Sequence, residues 1–502
     1  MTAEAVQSVQ ARAVRSAGWT IAAGLVTRVL GLVGSVAITH YLTPDIVGEV
    51  GAAVVLVFTA NQLSTVGVGN YVVAKPDEGP KTVFHITAFH LVIGVVALFA
   101  MLLLAAPLSA AFHAPRAALY VPGLALSVML DRIGYVPERL LSRSMRFRRI
   151  AGARAAGDLA FTVASLALAI AGFGGMAIVL ANVLRSALRA ALYVGAVPMA
   201  SWLSPHRLER ATYRRVLRFG VPIWLGSLAV FAASRWDNLL FSYLFGIQVM
   251  GQYQVAYNLA DVPADQIGEQ VGEVLLPSFA RMDRAGRGEA LVSSTGILAF
   301  VVFPAAIGFG AIASTLVPIA LGPAWASVAP MLTILCVLSV IRPLNWQVSA
   351  YLLANDRPRV EMIGSFLKLI VLVGALLTLG RLGPLWACLS VGLGFGAYLL
   401  AAQWTIQVTD GIRITTLLGR CVPALLACVP MVLAVLGARW ALASLGLRAP
   451  VVGLLLEIAA GVLGYVVGAF TLARGTTREF LSLVAAARAR RAETGAPSSA
   501  AA

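Results

Sequence analysis

The chain has 502 residues, of which 59% are hydrophobic and only 12% charged, and its mean hydropathy is +0.86. This composition excludes an ordinary soluble domain, in which about a quarter of the residues are charged. The net charge of +16 is typical of nucleic-acid-binding proteins. Here, however, the basic residues cluster in loops between long apolar segments, so the charge indicates membrane orientation and we expect no nucleic-acid partner.

Apolar segments of about 20 residues recur along the chain, and each is long enough to cross a bilayer as a helix. Segments of about 10 residues with alternating polarity, as in a transmembrane barrel, are not found. The sequence therefore predicts an all-α polytopic membrane protein with about 14 transmembrane helices. The predicted spans are 19–42, 46–70, 83–107, 117–137, 155–173, 175–198, 217–245, 250–280, 291–320, 326–354, 360–380, 383–409, 418–438 and 451–473.

The 38 Lys and Arg residues are unequally distributed between the two sides of these spans. If the N-terminus is cytoplasmic, most of them lie in cytoplasmic loops. The opposite loops then hold only Arg116, Arg381, Arg439 and Arg448. The positive-inside rule therefore predicts that both termini are cytoplasmic.

A weak internal repeat divides the chain. Gly18 opens a segment that ends in HYLTPDIVGEVGAA (40–53), and Gly220 opens another that ends in SYLFGIQVMGQYQVA (242–256). Repeated halves in a membrane protein indicate a transporter with its substrate path between them. We predict two pseudo-symmetric six-helix lobes and a C-terminal helix pair. The predicted domains are an N-terminal lobe (1–198), a cytoplasmic basic linker (199–215), a C-terminal lobe (216–409), the extra helix pair (410–474) and a cytoplasmic tail (475–502).

Residues that catalysis or metal binding would need are sparse. The four cysteines lie in apolar segments, the five histidines are scattered, and no nucleophile elbow, phosphate loop or zinc spacing is found. A membrane glycan polymerase or glycosyltransferase would need a sizeable external domain, and the predicted external connections are short. We therefore predict that the protein is not an enzyme and uses no metal or cofactor.

A family resemblance is strongest in residues 215–263. Its marks there are RFG (218–220), DNLL (237–240), LFG (244–246) and the pair Gly251 and Tyr253, followed by Ala256-Tyr257. LTPDIVGEVGAA (42–53), LLPSFARM (275–282), ALGPAWASVAPML (320–332) and LLANDRPRVE (352–361) extend it. These segments resemble the Wzx-like polysaccharide flippases of the multidrug/oligosaccharidyl-lipid/polysaccharide exporter superfamily, over nearly the whole chain to about residue 410.

The resemblance implies a bacterial inner-membrane protein that moves an oligosaccharide linked to undecaprenyl pyrophosphate from the cytoplasmic to the periplasmic leaflet, for cell-surface polysaccharide synthesis. It also implies a V-shaped bundle that alternates access, and a glycan polymerase as a partner in the pathway. Peptidoglycan-precursor flippases and multidrug exporters share this architecture and are the alternatives. The family glycines Gly48, Gly246 and Gly251 are better explained by tight helix ends than by ligand contact.

Several bases fall inside predicted spans, where each charge costs roughly 2.5–3.5 kcal/mol at the bilayer centre. They must line a wet cavity or pair with acids. We expect Asp131 and Arg132 to be interfacial, at a cytoplasmic helix end. Because Arg binds a diphosphate in bidentate fashion and Lys binds it as a point charge, the other bases are candidates for a substrate cavity. They are Arg28, Arg185, Arg189, Arg235, Arg342 and Lys368.

Four acids recur at every fourth residue of LADVPADQIGEQVGEV (259–274). On a helix they cover about 120° of one side, and we predict that this side faces the cavity between the lobes. There the acids would neutralise bases in the empty carrier or take up H+ or Na+ that couples transport. Salt bridges between helices are the structural alternative. The candidates for ion coupling or charge balance are Asp158, Asp237, Asp261, Asp265, Glu269 and Glu273.

Overall fold

The structure is a computed structural model that describes residue 34 and residues 36–75, 77–280, 282–446, 449–482 and 485. The side chains of 262–274, 276–278, 280, 284 and 285 are not described. All regular secondary structure in these described ranges is helical, and eleven helical segments are long and apolar enough to cross a bilayer. The prediction of an all-α polytopic membrane protein is therefore confirmed.

The chain divides into two compact units. Unit 1 comprises Met1–Gln254 and Ala320–Ala324, and unit 2 comprises Val255–Ile319 and Trp325–Ala502. The domain boundaries predicted above follow the internal repeat of the sequence, whereas these units are defined by contacts between residues. The predicted boundaries therefore stay a prediction. The described helices that begin in unit 1 are α1 (Pro44–Thr65), α2 (Val68–Ala74), α3 (Pro80–Ala111), α4 (Val121–Arg143), α5 (Phe147–Ile170), α6 (Met176–Gly195), α7 (Arg210–Phe245) and α8 (Ile247–Ala280).

Unit 2 contains most of α8 and the helices that follow it. Within this unit α13 packs along α14, and α15 packs along both α16 and α9. Its buried core includes Phe300, Phe303 and Met431. The remaining helices are α9 (Arg284–Ala311), α10 (Ala313–Ala320), α11 (Val328–Ser339), α12 (Ile341–Ala354), α13 (Pro358–Leu379), α14 (Pro384–Asp410), α15 (Ile414–Ser444) and α16 (Pro450–Thr471).

Three predicted spans are each broken into two helices. The span 46–70 breaks between α1 and α2, where Val66 and Gly67 adopt left-handed backbone conformations with φ of 47° and 64°. A Cβ atom on Gly67 would lie 2.4 Å from the carbonyl oxygen of Gly220 on α7, so the turn depends on glycine both for its φ angle and for its close approach. The spans 291–320 and 326–354 break at Ile312 and Val340. Hydropathy cannot detect the break at Ile312, because the residues around it are mainly apolar, whereas Arg342, Asn345 and Gln347 indicate a polar break in the span 326–354.

Three of the 14 predicted spans do not correspond to any of the eleven helical segments that are long and apolar enough to cross a bilayer. The reasons differ. The span 19–42 lies mostly outside the described residues. Helix α4 covers the span 117–137 but carries Asp131, Arg132 and Glu138, which lower its hydropathy. Helix α8 covers the span 250–280, and most of its side chains lie outside the description.

The start of α1 packs directly against the start of α8 within unit 1. A Cβ on Gly251 would lie 2.0 Å from the carbonyl oxygen of Pro44, and one on Gly48 would lie 2.2 Å from that of Ile247. Only glycine permits such an approach between backbones. Gly48 and Gly251 thus serve close packing between the two helices rather than the tight helix ends expected from the sequence.

Candidate functional site

The charges that the sequence places within membrane spans fall into separate groups in the structure. Arg28 lies outside the described residues, and so do the side chains of Asp265, Glu269 and Glu273. Six of the remaining candidates lie in two groups, one in unit 2 around Arg342 and one in unit 1 between α5 and α6. The other two, Arg235 and Asp237, lie on α7.

Arg342 is the most deeply buried of the predicted bases, with a side chain that is 3% exposed. It lies in the first turn of α12 and makes an ion pair with Asp261 of α8. The carbon at the centre of its guanidinium lies 4.5 Å from the ring centre of Tyr257 and 4.8 Å from that of Phe395. The guanidinium is therefore held by one carboxylate and two aromatic rings, on α8 and α14.

Lys368 of α13 joins the same group. Its ammonium nitrogen lies 4.6 Å from the ring centre of Phe395, so that one ring contacts both cations. Asn345, one turn after Arg342, donates a hydrogen bond of 3.1 Å to the backbone carbonyl of Phe395 and fixes that part of α14. We call Arg342, Lys368, Asp261, Tyr257 and Phe395 the Arg342 cluster.

The Arg342 cluster has more positive than negative charge among its own members. By its definition the cluster contains two cations and one carboxylate, and Glu361 of α13 is a further acid that interacts with Lys368. Contact with an aromatic ring stabilises each cation by about 0.5–2 kcal/mol. Burial in a low-dielectric environment strengthens the attraction of these cations for any anion that reaches them. The arrangement can therefore bind an anionic group, and Arg342 offers the planar donors that match a phosphate or a carboxylate.

The unit 1 group pairs predicted bases with predicted acids. Arg185 of α6 lies 3.8 Å from a carboxylate oxygen of Asp158 on α5 and donates a 2.7 Å hydrogen bond to Asn182. The stem of Arg189 lies against Gly157, where a Cβ would be 2.5 Å from its Cγ. Ser186, on the same helix, donates a 2.9 Å hydrogen bond to Asp131 of α4. These contacts join α4, α5 and α6 through polar side chains.

Arg235 and Asp237 point in different directions on α7. Arg235 is exposed, whereas Asp237 is 1% exposed. The hydroxyl of Tyr253 on α8 donates a 2.6 Å hydrogen bond to Asp237, and the backbone N–H of Asn238 donates another of 2.9 Å. Asp237 therefore helps to join α7 to α8, in addition to any role in charge balance.

The expectation that Arg132 is interfacial is wrong. Arg132 is 3% exposed and lies in the middle of α4. It donates hydrogen bonds to the side-chain oxygen of Asn61 (2.9 Å), the carbonyls of Asn61 (3.0 Å) and His90 (2.8 Å), and the hydroxyl of Ser64. Asn61 and Ser64 lie near the C-terminal end of α1, where the helix dipole favours a positively charged donor such as Arg132.

The residues around Arg132 contain a sequence signal for its burial. The residues one turn away on the same face of α4 are Val128 and Val136, both buried, whereas an interfacial arginine would have polar neighbours. The adjacent Asp131 suggested a local pair, although consecutive helical residues point in different directions.

In the C-terminal helix pair a partly exposed arginine pairs with a buried carboxylate. Arg439 of α15 makes a bidentate ion pair with Glu457 of α16, at 2.9 and 3.1 Å, and Glu457 is 2% exposed. The hydroxyl of Thr315 donates a further 2.8 Å hydrogen bond to Glu457. Arg439 also donates to the carbonyl of Ala311 at the end of α9. This pair is saturated by protein groups and holds the helix pair to α9 and α10.

Comparison with known proteins places the chain in a family. A family model described as "Polysaccharide biosynthesis protein" matches residues 38–330, which include Asp261 and Tyr257 but not Arg342, Lys368 or Phe395. The chain is 23% identical over 390 residues to the lipopolysaccharide biosynthesis protein WzxC of Escherichia coli, a match that covers 77% of this chain and 78% of that protein. It is 27% identical over 324 residues to the succinoglycan biosynthesis transport protein ExoT of Rhizobium meliloti, covering 64% and 65% of the two chains.

Solved structures show the same fold. The lipid II flippase MurJ in an inward closed conformation superposes with a TM-score of 0.74 at 12% identity, over 90% of this chain and 98% of that one. An inward-facing multidrug transporter of the MATE family gives a TM-score of 0.63 at 16% identity, over 77% and 95%. With more than half of its residues matched by the family model, the chain belongs to the polysaccharide biosynthesis protein family.

Proposed function

We propose that this chain is a flippase that moves a polyprenyl-pyrophosphate-linked oligosaccharide from the cytoplasmic to the periplasmic leaflet by alternating access. Its family membership and the names of its relatives, which include a transport protein for succinoglycan biosynthesis, support this substrate class. The proposed location of the protein is the bacterial inner membrane, which contains such a lipid. A glycan polymerase that receives the product is the expected pathway partner.

The observation that carries the proposal is the Arg342 cluster. A guanidinium and an ammonium contact the same aromatic ring inside helices that cross the bilayer. Charged residues in such helices are rare, and they usually mark a functional site. A pyrophosphate is the charged part of the proposed substrate, and arginine binds it with two parallel hydrogen bonds. Arg185, Arg189, Arg235 and Arg28 are further candidates for the substrate path.

Two other transport functions share the fold. A peptidoglycan-precursor flippase would also carry a pyrophosphate, and the Arg342 cluster does not distinguish it from the proposed function. A multidrug exporter that carries cations is disfavoured, because Arg342 and Lys368 would repel a cationic drug. Growth of a strain depleted of its peptidoglycan-precursor flippase distinguishes the first alternative, since only a carrier of that precursor restores growth.

Export of surface glycan tests the proposal. In a strain that lacks its own flippase, each Ala variant of the six bases is expressed at matched level and the surface polysaccharide is measured. We expect Arg342→Ala and Lys368→Ala to lower export at least tenfold, and Arg342→Lys to restore it only in part, because Lys cannot bind in bidentate fashion. Normal glycan in all six Ala variants would contradict the proposal.

The membrane orientation can be tested separately. Ser204 lies between α6 and α7, in the predicted cytoplasmic linker. A Ser204→Cys variant should resist a membrane-impermeant thiol reagent in intact cells and react after the membrane is opened. Labelling from the periplasmic side would contradict the orientation with both termini in the cytoplasm.

Ion coupling through the acids of α8 is a further part of the proposal. We expect Asp265→Asn and Glu269→Gln to fold but to lose transport that depends on an H+ or Na+ gradient in vesicles. Carboxylates near one another in a buried setting exchange protons or cations more readily than isolated ones. Equal transport by both variants with and without a gradient would limit the acids to a structural role.

A further inference from the structure

Asp261 and Arg342 differ in their accessibility although they form one ion pair. The side chain of Asp261 is 25% exposed, and that of Arg342 is 3% exposed. The aromatic rings of Tyr257 and Phe395 cover other parts of the guanidinium. Solvent or a ligand that approaches the pair therefore meets the carboxylate before it meets the guanidinium.

We infer that Asp261 is a resident counter-ion, which occupies Arg342 in the empty carrier and which an anionic headgroup has to displace in order to bind. This inference rests on the proposed function and deepens it, because it names the residue that controls access to the anion-binding arginine. Asp261 is thus a positioning residue that competes with the substrate.

Electrostatics gives the reason for such a counter-ion. A buried arginine that loses a carboxylate partner leaves a poorly compensated charge, which costs several kcal/mol. A carrier that releases its anion in every cycle would bear this cost each time unless a protein carboxylate replaced the anion. Asp261 is in direct contact with Arg342 and can take that position without a change of partner helix.

The two rings make the exchange specific to Arg342. Tyr257 and Phe395 bind the guanidinium through cation–π contacts, which do not use its N–H groups as hydrogen-bond donors, so these can bind Asp261 or an anion in its place. Lys368 contacts the same Phe395 ring and adds positive charge beside the exchange position. A pyrophosphate, which carries more negative charge than one carboxylate, is therefore able to compete with Asp261 for these donors.

The Arg439–Glu457 pair provides a matched control within the same unit. It is also an arginine–carboxylate pair inside the membrane helices, but Glu457 is 2% exposed and accepts a further hydrogen bond from Thr315. The order of access is the reverse of that at Arg342, because the side chain of Arg439 is 32% exposed, so Glu457 does not stand between a ligand and its arginine. Neutralising Glu457 should leave anion binding unchanged, whereas neutralising Asp261 should strengthen it.

Binding of inorganic pyrophosphate to the purified full-length chain in lipid nanodiscs tests the inference. We expect Asp261→Asn to lower the Kd at least tenfold relative to the original protein, and Glu457→Gln to leave it unchanged. The Arg342→Gln variant should lose binding, and the double variant Arg342→Gln/Asp261→Asn should not regain it. An equal or weaker affinity in folded Asp261→Asn would overturn the inference.

A second variant covers the case in which Asp261→Asn does not fold. Asp261→Cys can be purified and then modified with either neutral methyl methanethiosulfonate or anionic sulfonatoethyl methanethiosulfonate. The four native cysteines are buried, so we expect the reagents to modify the introduced cysteine. The neutral adduct should bind pyrophosphate at least tenfold more tightly than the anionic one. Equal affinities of the two adducts would also overturn the inference.

Failure of the inference and failure of the proposed function give different results. If Arg342→Ala abolishes glycan export but Asp261→Asn leaves pyrophosphate affinity unchanged, only the resident counter-ion is rejected. If Arg342→Ala exports glycan normally, the role of Arg342 in the proposed function is itself rejected.

Discussion

Arg132 in unit 1 and Arg342 in unit 2 are both almost fully buried, but their charges are stabilised by different partners. Arg132 donates to neutral oxygens of α1 and α3, and no carboxylate forms an ion pair with it in the described part of the chain. Arg342 has the carboxylate of Asp261 and the faces of two aromatic rings. The comparison distinguishes a structural arginine from one whose counter-ion can be exchanged.

The partners of Arg132 are fixed parts of the fold. Backbone carbonyls at a helix end need a donor wherever water is absent, and they have no substitute in this position. The carboxylate that pairs with Arg342, by contrast, can be exchanged, because another anion can accept the same hydrogen bonds from the guanidinium. Burial alone therefore does not identify a binding residue in this protein, and the chemistry of the partner does.

The largest expected effect is on stability, and it separates the two arginines. Arg132→Met removes hydrogen bonds of a charged donor to several acceptors and should lower the free energy of unfolding by on the order of 3 kcal/mol or more. Arg342→Met should cost less than half of that, because the apolar chain packs between the two rings and Asp261 is partly exposed. Thermal unfolding of the detergent-purified variants measures both.

An equal loss of stability in the two Met variants would contradict this comparison. Arg132→Lys provides a further check. One ammonium cannot reach the acceptors on both α1 and α3, so its stability should lie between that of the original protein and that of Arg132→Met.

A smaller effect is expected at the break between α1 and α2. Gly67→Ala places a Cβ in a left-handed backbone conformation and against the carbonyl of Gly220, and it should destabilise unit 1 by about 1–3 kcal/mol. Gly79→Ala is the control, since a Cβ there would have no neighbour within 4 Å and the φ is −78°. Equal melting temperatures of the two variants would show that the break is not under this constraint.

The smallest expected effect concerns the loop between α2 and α3. The hydroxyl groups of Thr82 and Tyr71 donate hydrogen bonds of 2.7 and 2.8 Å to Glu78, and they hold the pKa of this carboxyl below its usual value of 4.5. A pKa that is lower in the folded state means that Glu78 stabilises the protein above about pH 4.5 and loses this contribution as the pH falls through the folded pKa.

Glu78→Gln should therefore flatten the acid side of the stability profile between about pH 5 and pH 3. Asp77→Asn, at the exposed neighbouring residue, should leave the profile unchanged. Melting temperatures across this range measure the effect, and identical slopes for the original protein and Glu78→Gln would contradict it.

The fold class and the charged members of the candidate site could be predicted from the sequence, but the contacts between its members could not. Hydropathy and charge distribution identified the helical spans, and the cost of a charge in the bilayer singled out Arg342, Lys368 and Asp261. Their meeting depends on tertiary packing of α8, α12 and α13, which are far apart in the chain. Phe395 could not be identified, because an aromatic residue in an apolar helix has no distinguishing pattern.

The break between α1 and α2 cannot be predicted from hydropathy for a related reason. An apolar segment has the same hydropathy whether it forms one helix or two, as at Val66 and Gly67. Arg132 of α4 donates to the carbonyl of Asn61 near that break, and local patterns do not predict a contact between residues that are 71 positions apart. Local patterns determine where helices form, and long-range packing determines which polar groups of different helices contact one another.

The central claim is that Arg342 binds the anionic headgroup of a lipid-linked oligosaccharide during transport. The most direct test is the rate at which purified protein in vesicles moves a fluorescent polyprenyl-pyrophosphate-linked oligosaccharide between leaflets. We predict that Arg342→Gln lowers this rate at least tenfold while Glu457→Gln, reconstituted at the same density, retains it. A normal rate in folded Arg342→Gln would contradict the account.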